Sequence, residues 1–192
     1  MENIYLTNLL DELQTLAERF EHTFGSLTED QLNWKPNPKQ WSIAQCIDHM
    51  ILANKAYFPT LVQIGNGTKK SKKREKLPVI SDVWGAWLVR SSRPNSRLNK
   101  LRAPETYLPS EERIGKHIIQ EFLDHQLVLR ELLEKTDRVP HESTVITSPR
   151  NGLVTFNLKD CCKIILHHEI SHMKQANEVL KHSLFPLGIQ EF

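Results

Sequence analysis

The fold prediction depends on the stretch NLKDCCKIILHHEISHMKQANEVLKHSLF, residues 157–185, which holds four of the nine histidines. Asn157 and Asp160 form an acidic variant of the capping box, a sequence signal for a helix start. No Gly or Pro follows until Pro186. Its apolar and small residues recur at the spacing of one helix side, and they are Leu158, Cys161, Cys162, Ile165, Leu166, Ala176, Val179 and Leu180. The stretch therefore predicts an amphipathic helix from Asn157 to about residue 183.

Two histidines of this stretch, His168 and His172, fall inside its apolar side, where further apolar residues are expected. Residues four apart on a helix are offset by about 40° around the axis and about 6 Å along it. Two imidazoles so placed can chelate one metal ion, although a single histidine on an apolar face is more often a hydrogen-bonded core residue. His167 is rotated by about 100° from His168, so we expect it at the helix edge or beside the ligands.

Two further long helices are predicted near the start of the chain. Residues 3–24 carry leucines and phenylalanines at a spacing of three and four, and Gly25 follows as a C′ glycine would. Ser42 and Gln45 form a capping box that opens the second helix. Pro59 kinks or ends this helix, and the apolar residues after it predict that a helix resumes.

The remaining elements are predicted from shorter signals. Thr28 opens a second capping-box spacing and a short helical turn. A short helix is predicted around residues 81–90, and a third long helix at residues 111–136 with Ser110 as its cap. The β-branched run at residues 144–147 is compatible with a short hairpin.

Four long amphipathic helices and no convincing sheet favour an all-α fold, a four-helix bundle. A long crossover at residues 66–109 separates the second helix from the third, so these two helices can run parallel in an up-down-down-up arrangement. The 192 residues suffice for one domain with a real core and hardly for two, so we expect a single domain over residues 1–192.

Composition and charge exclude several classes of partner. The net charge of +2 gives no argument for nucleic acid, and we expect no nucleic-acid partner. The basic run KKSKKREK at residues 69–76 lacks interleaved aromatic residues, so a solvated loop is predicted in preference to a phosphate or membrane site. No segment approaches the roughly 18 apolar residues of a membrane span, and the N-terminus lacks the regions of a signal peptide.

The three cysteines, Cys46, Cys161 and Cys162, do not form a disulfide framework. A reducing cytoplasm is therefore the predicted compartment. No basic group is visibly placed to activate a thiolate, so we interpret the three residues as small buried hydrophobes.

A three-histidine site is the candidate for chemistry. His49 lies on the core side of the second predicted helix, and with His168 and His172 it could ligate Zn²⁺, Ni²⁺ or a similar ion. Three protein ligands with an open fourth position are typical of catalytic zinc sites. His125, on the core side of the third predicted helix, is the reserve ligand.

Residues 168–172 also match the pattern HExxH literally, with Glu169 where zinc proteases have their general base. Such proteases also need a third ligand downstream and a sheet that holds the peptide. His182 is only ten residues further on, near the predicted helix end, and no sheet is predicted. We therefore expect Glu169 to be a solvated carboxylate or one that lies beside the ligands.

Two segments resemble the DinB-like (DNA-damage-inducible) family of four-helix bundles. LNWKPNPKQWSIAQCIDHM, residues 32–50, is similar to its entry to the second helix, where a Trp-Ser pair precedes a helix with a His. HHEISHMKQ, residues 167–175, resembles its last-helix motif His-x-x-x-His-x-x-Gln. The resemblance implies that His49, His168 and His172 bind a divalent metal inside an up-down-down-up bundle, which is frequently a homodimer.

Trp34 and Trp41 bracket the loop before the second helix, and we expect them to pin it across the core.

The resemblance also implies a range of functions. Characterised relatives include thiol-dependent transferases and isomerases that use bacillithiol, mycothiol or glutathione, and others are described as metal-dependent hydrolases. The leading expectation is a metal-dependent S-transferase, with Zn or Ni and a low-molecular-weight thiol, that acts on a small electrophile. The alternatives are a hydrolase that uses metal-bound water and a non-catalytic metal- or ligand-binding stress-response protein. No catalytic residue beyond the metal ligands is predicted.

Overall fold

The computed structural model describes residues 2–72, 75, 78–93, 108–109 and 112–186, and this part of the chain is mostly helical with one short two-stranded sheet. Its elements in chain order are α1 Ile4–Phe24, α2 Glu29–Asn33, α3 Ile43–Lys55, α4 Phe58–Gly65, α5 Pro78–Ser92, α6 Ile118–Glu134, β1 Val145–Thr147, β2 Thr155–Asn157 and α7 Leu158–Leu180. No helix in the described ranges is long and apolar enough to cross a membrane. The prediction of a largely helical chain is confirmed.

The start of α7 is held by its own cap and by the segment before it. The Asn157 side chain accepts a hydrogen bond from the Asp160 N–H at 2.8 Å, as the sequence predicts. The N–H groups of Leu158 and Lys159 donate to backbone carbonyls near β1. The first N–H groups of a helix have no partner within it, so these bonds satisfy groups that would otherwise be unpaired.

The predicted hairpin is confirmed, although the sheet is small. β1 and β2 pair antiparallel, with Ile146 opposite Phe156, and both of these side chains are fully buried.

At its C-terminal end α7 stops at Leu180, about three residues before the predicted end. There the His182 ring accepts a hydrogen bond from the Leu184 N–H and stabilises a turn in place of further helix.

The capping signals of the first half of the chain are confirmed. Thr28 opens α2 and Ser42 opens α3, each with both hydrogen bonds of a capping box. The chain leaves α3 at Lys55 and resumes as α4, with Pro59 in the first turn, where its missing N–H has no cost. α1 ends before Gly25, as predicted, but Gly25 is the C-cap residue with a right-handed φ of −62° and does not take the C′ position.

The third long helix, α6, begins at Ile118, later than the predicted start at residue 111; the predicted cap, Ser110, lies outside the described residues. The reason for the late start is a docking contact with α2. The Ile114 N–H donates to the Asn33 side chain at 2.8 Å, and the Asn33 amide donates to the Ile114 carbonyl at 2.7 Å. These two bonds hold the backbone of Ile114 against α2, and α6 begins four residues further on.

The connection between α4 and α6 contains α5, which begins before and ends after the predicted residues 81–90. This helix lies against β2 and α7. A side chain at Gly85 would overlap the Asp160 carboxylate and lie 3.2 Å from the Phe156 Cβ, so glycine favours the close approach. In the basic run, Lys69 pairs with the buried Glu75 at 2.7 Å, and Glu75 also accepts from Thr147 of β1. This end of the run is therefore anchored, which differs from the predicted solvated loop.

Two hydrophobic clusters fill the interior. The first combines the end of α1, the start of α3, the start of α6 and the end of α7, with the rings of Phe20 and Phe122 4.3 Å apart. The second combines the start of α1 with α4, the end of α6, the sheet and the start of α7. Since α3 and α7 both contribute to the first cluster, the histidines on these two helices face a shared interior.

We predict that Ser42→Ala lowers the free energy of unfolding by about 1 kcal/mol, because the α3 N-terminus loses its side-chain acceptor. Urea denaturation followed by circular dichroism measures the change. The matched control is Thr15→Ala, an exposed hydroxyl in the middle of α1, which should stay within about 0.5 kcal/mol of the wild type. Equal losses in the two variants would contradict the prediction.

Candidate metal centre

The structure brings together the three histidines that the sequence singles out. His49 comes from α3, and His168 and His172 come from consecutive turns of α7. One ring nitrogen from each side chain lies within 4.8 Å of the other two, and the Nε2 atoms of His49 and His168 are 3.1 Å apart. Among the described residues this group could hold a metal ion.

The environment keeps His168 and His172 neutral. His49 is 5% exposed, and the other two are partly buried at the edge of the interior. Burial lowers the pKa of His168 well below its usual value, with the neighbouring His172 and His49 as further causes. Burial also lowers the pKa of His172 to about 3. Neutral imidazole is the form that ligates metal ions.

A glutamine sets the tautomer of His172. The Nδ1 atom of His172 lies 3.0 Å from Oε1 of Gln175, the glutamine of the last-helix motif. An amide oxygen only accepts hydrogen bonds, so Nδ1 carries the proton and the lone pair remains on Nε2. A partner on the second ring nitrogen is a regular feature of metal-ligating histidines.

Trp41 forms one wall of the histidine group. Its ring is stacked on His172 with centroids 5.8 Å apart and lies 4.8 Å from the ring of His49. Trp34 instead contacts His182 and Phe185 at the end of the described chain, which is the pinning role that the sequence predicts for both tryptophans. The role of Trp41 at the site was not predicted; the signal for it is its position next to the Ser42 cap of the histidine-bearing helix.

Glu169 is fully buried, so of the two alternatives predicted for it the solvated carboxylate is wrong, while the position beside His168 remains. Its Oε1 accepts hydrogen bonds from the amides of Asn54 at 2.5 Å and Gln126 at 2.8 Å. Its Oε2 has no hydrogen-bond partner in the described part of the chain. Burial raises the pKa of Glu169 to about 7. A carboxylate held by two amides in the helix interface differs from the water-activating base of an HExxH protease.

The other candidate histidines lie away from the group. His125, the predicted reserve ligand, does not join it; its ring is stacked on Phe58 with centroids 5.1 Å apart. Neither ring nitrogen of His125 has a hydrogen-bond partner within the described residues. His167 lies at the edge of α7, as predicted, with Nδ1 3.4 Å from the Ser92 hydroxyl of α5.

The cysteines are confirmed as small buried residues. Cys46, Cys161 and Cys162 are fully buried and unpaired. Burial raises the pKa of Cys162 to about 12, and it also raises the pKa of the other two thiols. None of the three is therefore a thiolate near neutral pH.

A comparison with known protein families identifies the family of the chain. The family model described as the DinB superfamily matches residues 12–176, which include both quoted motifs and all three histidines of the group. A match over this share of the chain establishes membership. No curated protein and no solved structure was found to match the chain.

His125 generates a prediction about acid sensitivity. Burial, and secondarily the charge of Lys55, lowers its pKa from 6.5 to about 4. The unfolded chain binds this proton below about pH 6.5, whereas the folded chain does so only near pH 4. The stability that the neutral ring contributes is therefore present above pH 6.5 and is lost as the pH falls towards 4.

When the pH is lowered from about 7.5 to about 5, the unfolding free energy of the metal-free protein falls. We predict that this fall is about 2 kcal/mol smaller in His125→Leu than in the wild type. Urea denaturation at the two pH values in the presence of a chelator measures the difference. The control is His22→Leu, an exposed histidine of α1, which should keep the wild-type pH dependence. An equal change of the unfolding free energy with pH in His125→Leu and in the wild type would contradict the prediction.

Proposed function

We propose that the chain, which belongs to the DinB superfamily, is a divalent-metal-dependent enzyme that transfers a small thiol to a small electrophile. In this proposal His49, His168 and His172 hold the metal. The observation that carries it is the convergence of three imidazole nitrogens from two helices to within 4.8 Å of one another. Zn²⁺ and Ni²⁺ are the leading metals, since imidazole ligands suit both.

The donor set fits such an ion. Two nitrogens on a tetrahedral zinc, each about 2.05 Å from it, are about 3.3 Å apart. The Nε2 atoms of His49 and His168, at 3.1 Å, already lie near that separation. Three neutral protein ligands leave a coordination position for an exogenous group, which is the pattern of catalytic sites.

The state of the cysteines decides where the sulfur of the proposed reaction would come from. All three thiols of the chain are buried with raised pKa values, so the nucleophilic sulfur would be that of a small molecule. A divalent ion held by His49, His168 and His172 would supply Lewis acidity and lower the pKa of a thiol beside it. In the proposed transfer the thiol would give its proton to solvent, its sulfur would bond to the electrophilic carbon, and the leaving group would depart with its electron pair. Trp41 shields one side of the histidines from water.

The state of Glu169 argues against hydrolysis of the HExxH type. Activation of water at HExxH sites uses this glutamate as a base. Here the carboxylate is fully buried and its Oε1 is engaged by Asn54 and Gln126. Within the described residues, no observation favours the hydrolase or the non-catalytic alternative.

We also propose that α1, α3, α6 and α7 form an up-down-down-up bundle with the crossover between α3 and α6. What supports it is the composition of the two hydrophobic clusters. One contains the ends of α1 and α7 with the starts of α3 and α6, and the other contains the starts of α1 and α7 with the end of α6.

A cytoplasmic location is part of the proposal and is supported by the three unpaired cysteines. A single domain, a homodimer and the absence of a nucleic-acid partner stay predictions.

We predict that untagged wild-type protein, stripped of metal by a chelator, binds one Zn²⁺ or Ni²⁺ per chain in isothermal titration calorimetry. Each of His49→Ala, His168→Ala and His172→Ala should weaken this affinity by at least about 100-fold, since each removes one ligand. The matched control, His167→Ala, should stay close to the wild type. A folded wild type that takes up neither metal would overturn the proposed function.

The binding and consumption of a small thiol are tested on the metal-loaded protein. We predict that a small thiol such as glutathione raises the melting temperature of the wild type, because a ligand that binds only the folded state stabilises it. The thiol should have no such effect on His168→Ala, and the S-methylated thiol none on either protein. The same thiol should be consumed with a model electrophile such as monobromobimane faster than in buffer. Turnover of an ester or amide without thiol would favour the hydrolase instead.

A further inference from the structure

A buried hydrogen-bonded group joins the helices that carry the three histidines. It consists of Glu169 of α7, Asn54 of α3 and Gln126 of α6, and we call it the carboxylate–amide clasp. One carboxylate oxygen accepts from both amides, at 2.5 and 2.8 Å. Glu169 is 0%, Asn54 1% and Gln126 8% exposed, so solvent does not compete for these bonds.

The composition of the clasp indicates a role other than stability. Removing a carboxyl group and two amides from water is unfavourable, and their mutual hydrogen bonds offset that cost only in part. Apolar side chains of similar size fill such positions at least as favourably. Polar groups in a core instead specify one relative arrangement of the surrounding elements, because only one arrangement satisfies them all.

The clasp lies next to the histidine group along both ligand-bearing helices. Glu169 directly follows His168 on α7, and Asn54 is five residues beyond His49 on α3, about 7.5 Å along the axis. The Asn54–Glu169 bond and the His49–His168 contact therefore connect the same two helices at neighbouring levels. A shift of α3 along α7 would break the first and separate the two ring nitrogens of the second.

From this placement we propose that the clasp is a positioning device for the metal centre: it holds α3 and α7 in the register at which His49 and His168 reach one ion. The proposal rests on the proposed metal function. Glu169 is not itself a ligand, because it lies about 100° around α7 from His168 and does not belong to the group of potential ligands. The clasp acts through the backbones of the two helices.

Register matters because metal sites tolerate little displacement. Metal–ligand distances in proteins stay within about 0.2 Å of their preferred values. His168 and His172 share one helix, so their mutual geometry is set locally. The position of His49 depends on how α3 lies against α7, and the clasp constrains that relation. Loss of the clasp should therefore weaken the contribution of His49 in particular.

The experiment compares two variants of Glu169 in the full chain, each stripped of metal and titrated with Co²⁺ and Zn²⁺. Glu169→Gln keeps an acceptor oxygen for both amides, whereas Glu169→Met has a similar volume and no acceptor of this kind. We expect Glu169→Met to bind about 10- to 100-fold more weakly and to alter the visible absorption of bound Co²⁺. Glu169→Gln should stay within about threefold of the wild type in affinity, with an unchanged spectrum.

A second pair of variants separates positioning from stability and covers a failure of Glu169→Met to fold. Asn54→Leu removes the donor on ligand-bearing α3, and Gln126→Leu removes the donor on α6, which carries none of the three histidines. Positioning predicts a clearly larger loss of Co²⁺ affinity for Asn54→Leu. Equal losses in the two variants would overturn the proposal.

The outcomes also separate this proposal from the proposed function. If the wild type and Glu169→Met bind Co²⁺ with the same affinity and spectrum, the positioning role is overturned while the metal function stands. If the folded wild type binds none of Co²⁺, Zn²⁺ and Ni²⁺, the metal function fails, and the positioning role fails with it.

Discussion

The contact between α3 and α7 is the constraint on which the rest of the site depends. It sets the 3.1 Å separation between the Nε2 atoms of His49 and His168, two residues that are 119 positions apart in the chain. Each helix reaches this contact with a satisfied N-terminus, through Ser42 for α3 and Asn157 for α7. Local capping thus determines where each histidine-bearing helix begins, and the packing of the helices against each other determines whether the histidines meet.

Features that depend on local sequence were predictable for this reason. The capping boxes of α2 and α3, the Asn157 cap and the break before Pro59 all follow from residues within one helical turn of each other. The pairing of His168 with His172 is equally local, because it follows from helical spacing. The choice of His49 as their partner needed its core-side position and the resemblance of residues 32–50 and 167–175 to a known family.

The features that were missed depend on contacts between distant residues. The late start of α6 results from the Asn33 side chain, 81 positions from Ile114. The burial of Glu169 depends on Asn54, 115 positions away, and the HExxH pattern contains no information about that partner. The place of Trp41 beside His172 likewise follows from how its loop packs along α7, with Trp34 of the same loop against His182. Periodicity identifies the face of a helix, whereas only the assembled fold determines what covers that face.

The burial of all three cysteines has a consequence for oxidative conditions. Peroxides and disulfides react with accessible thiolates, and this chain presents neither an accessible nor an ionised sulfhydryl to them. A shift in the redox state of the surroundings would therefore leave the three thiols of the chain unmodified. In the proposed reaction, such a shift would act through the supply of reduced co-substrate, so the enzyme would follow the cellular thiol pool without carrying a redox sensor of its own.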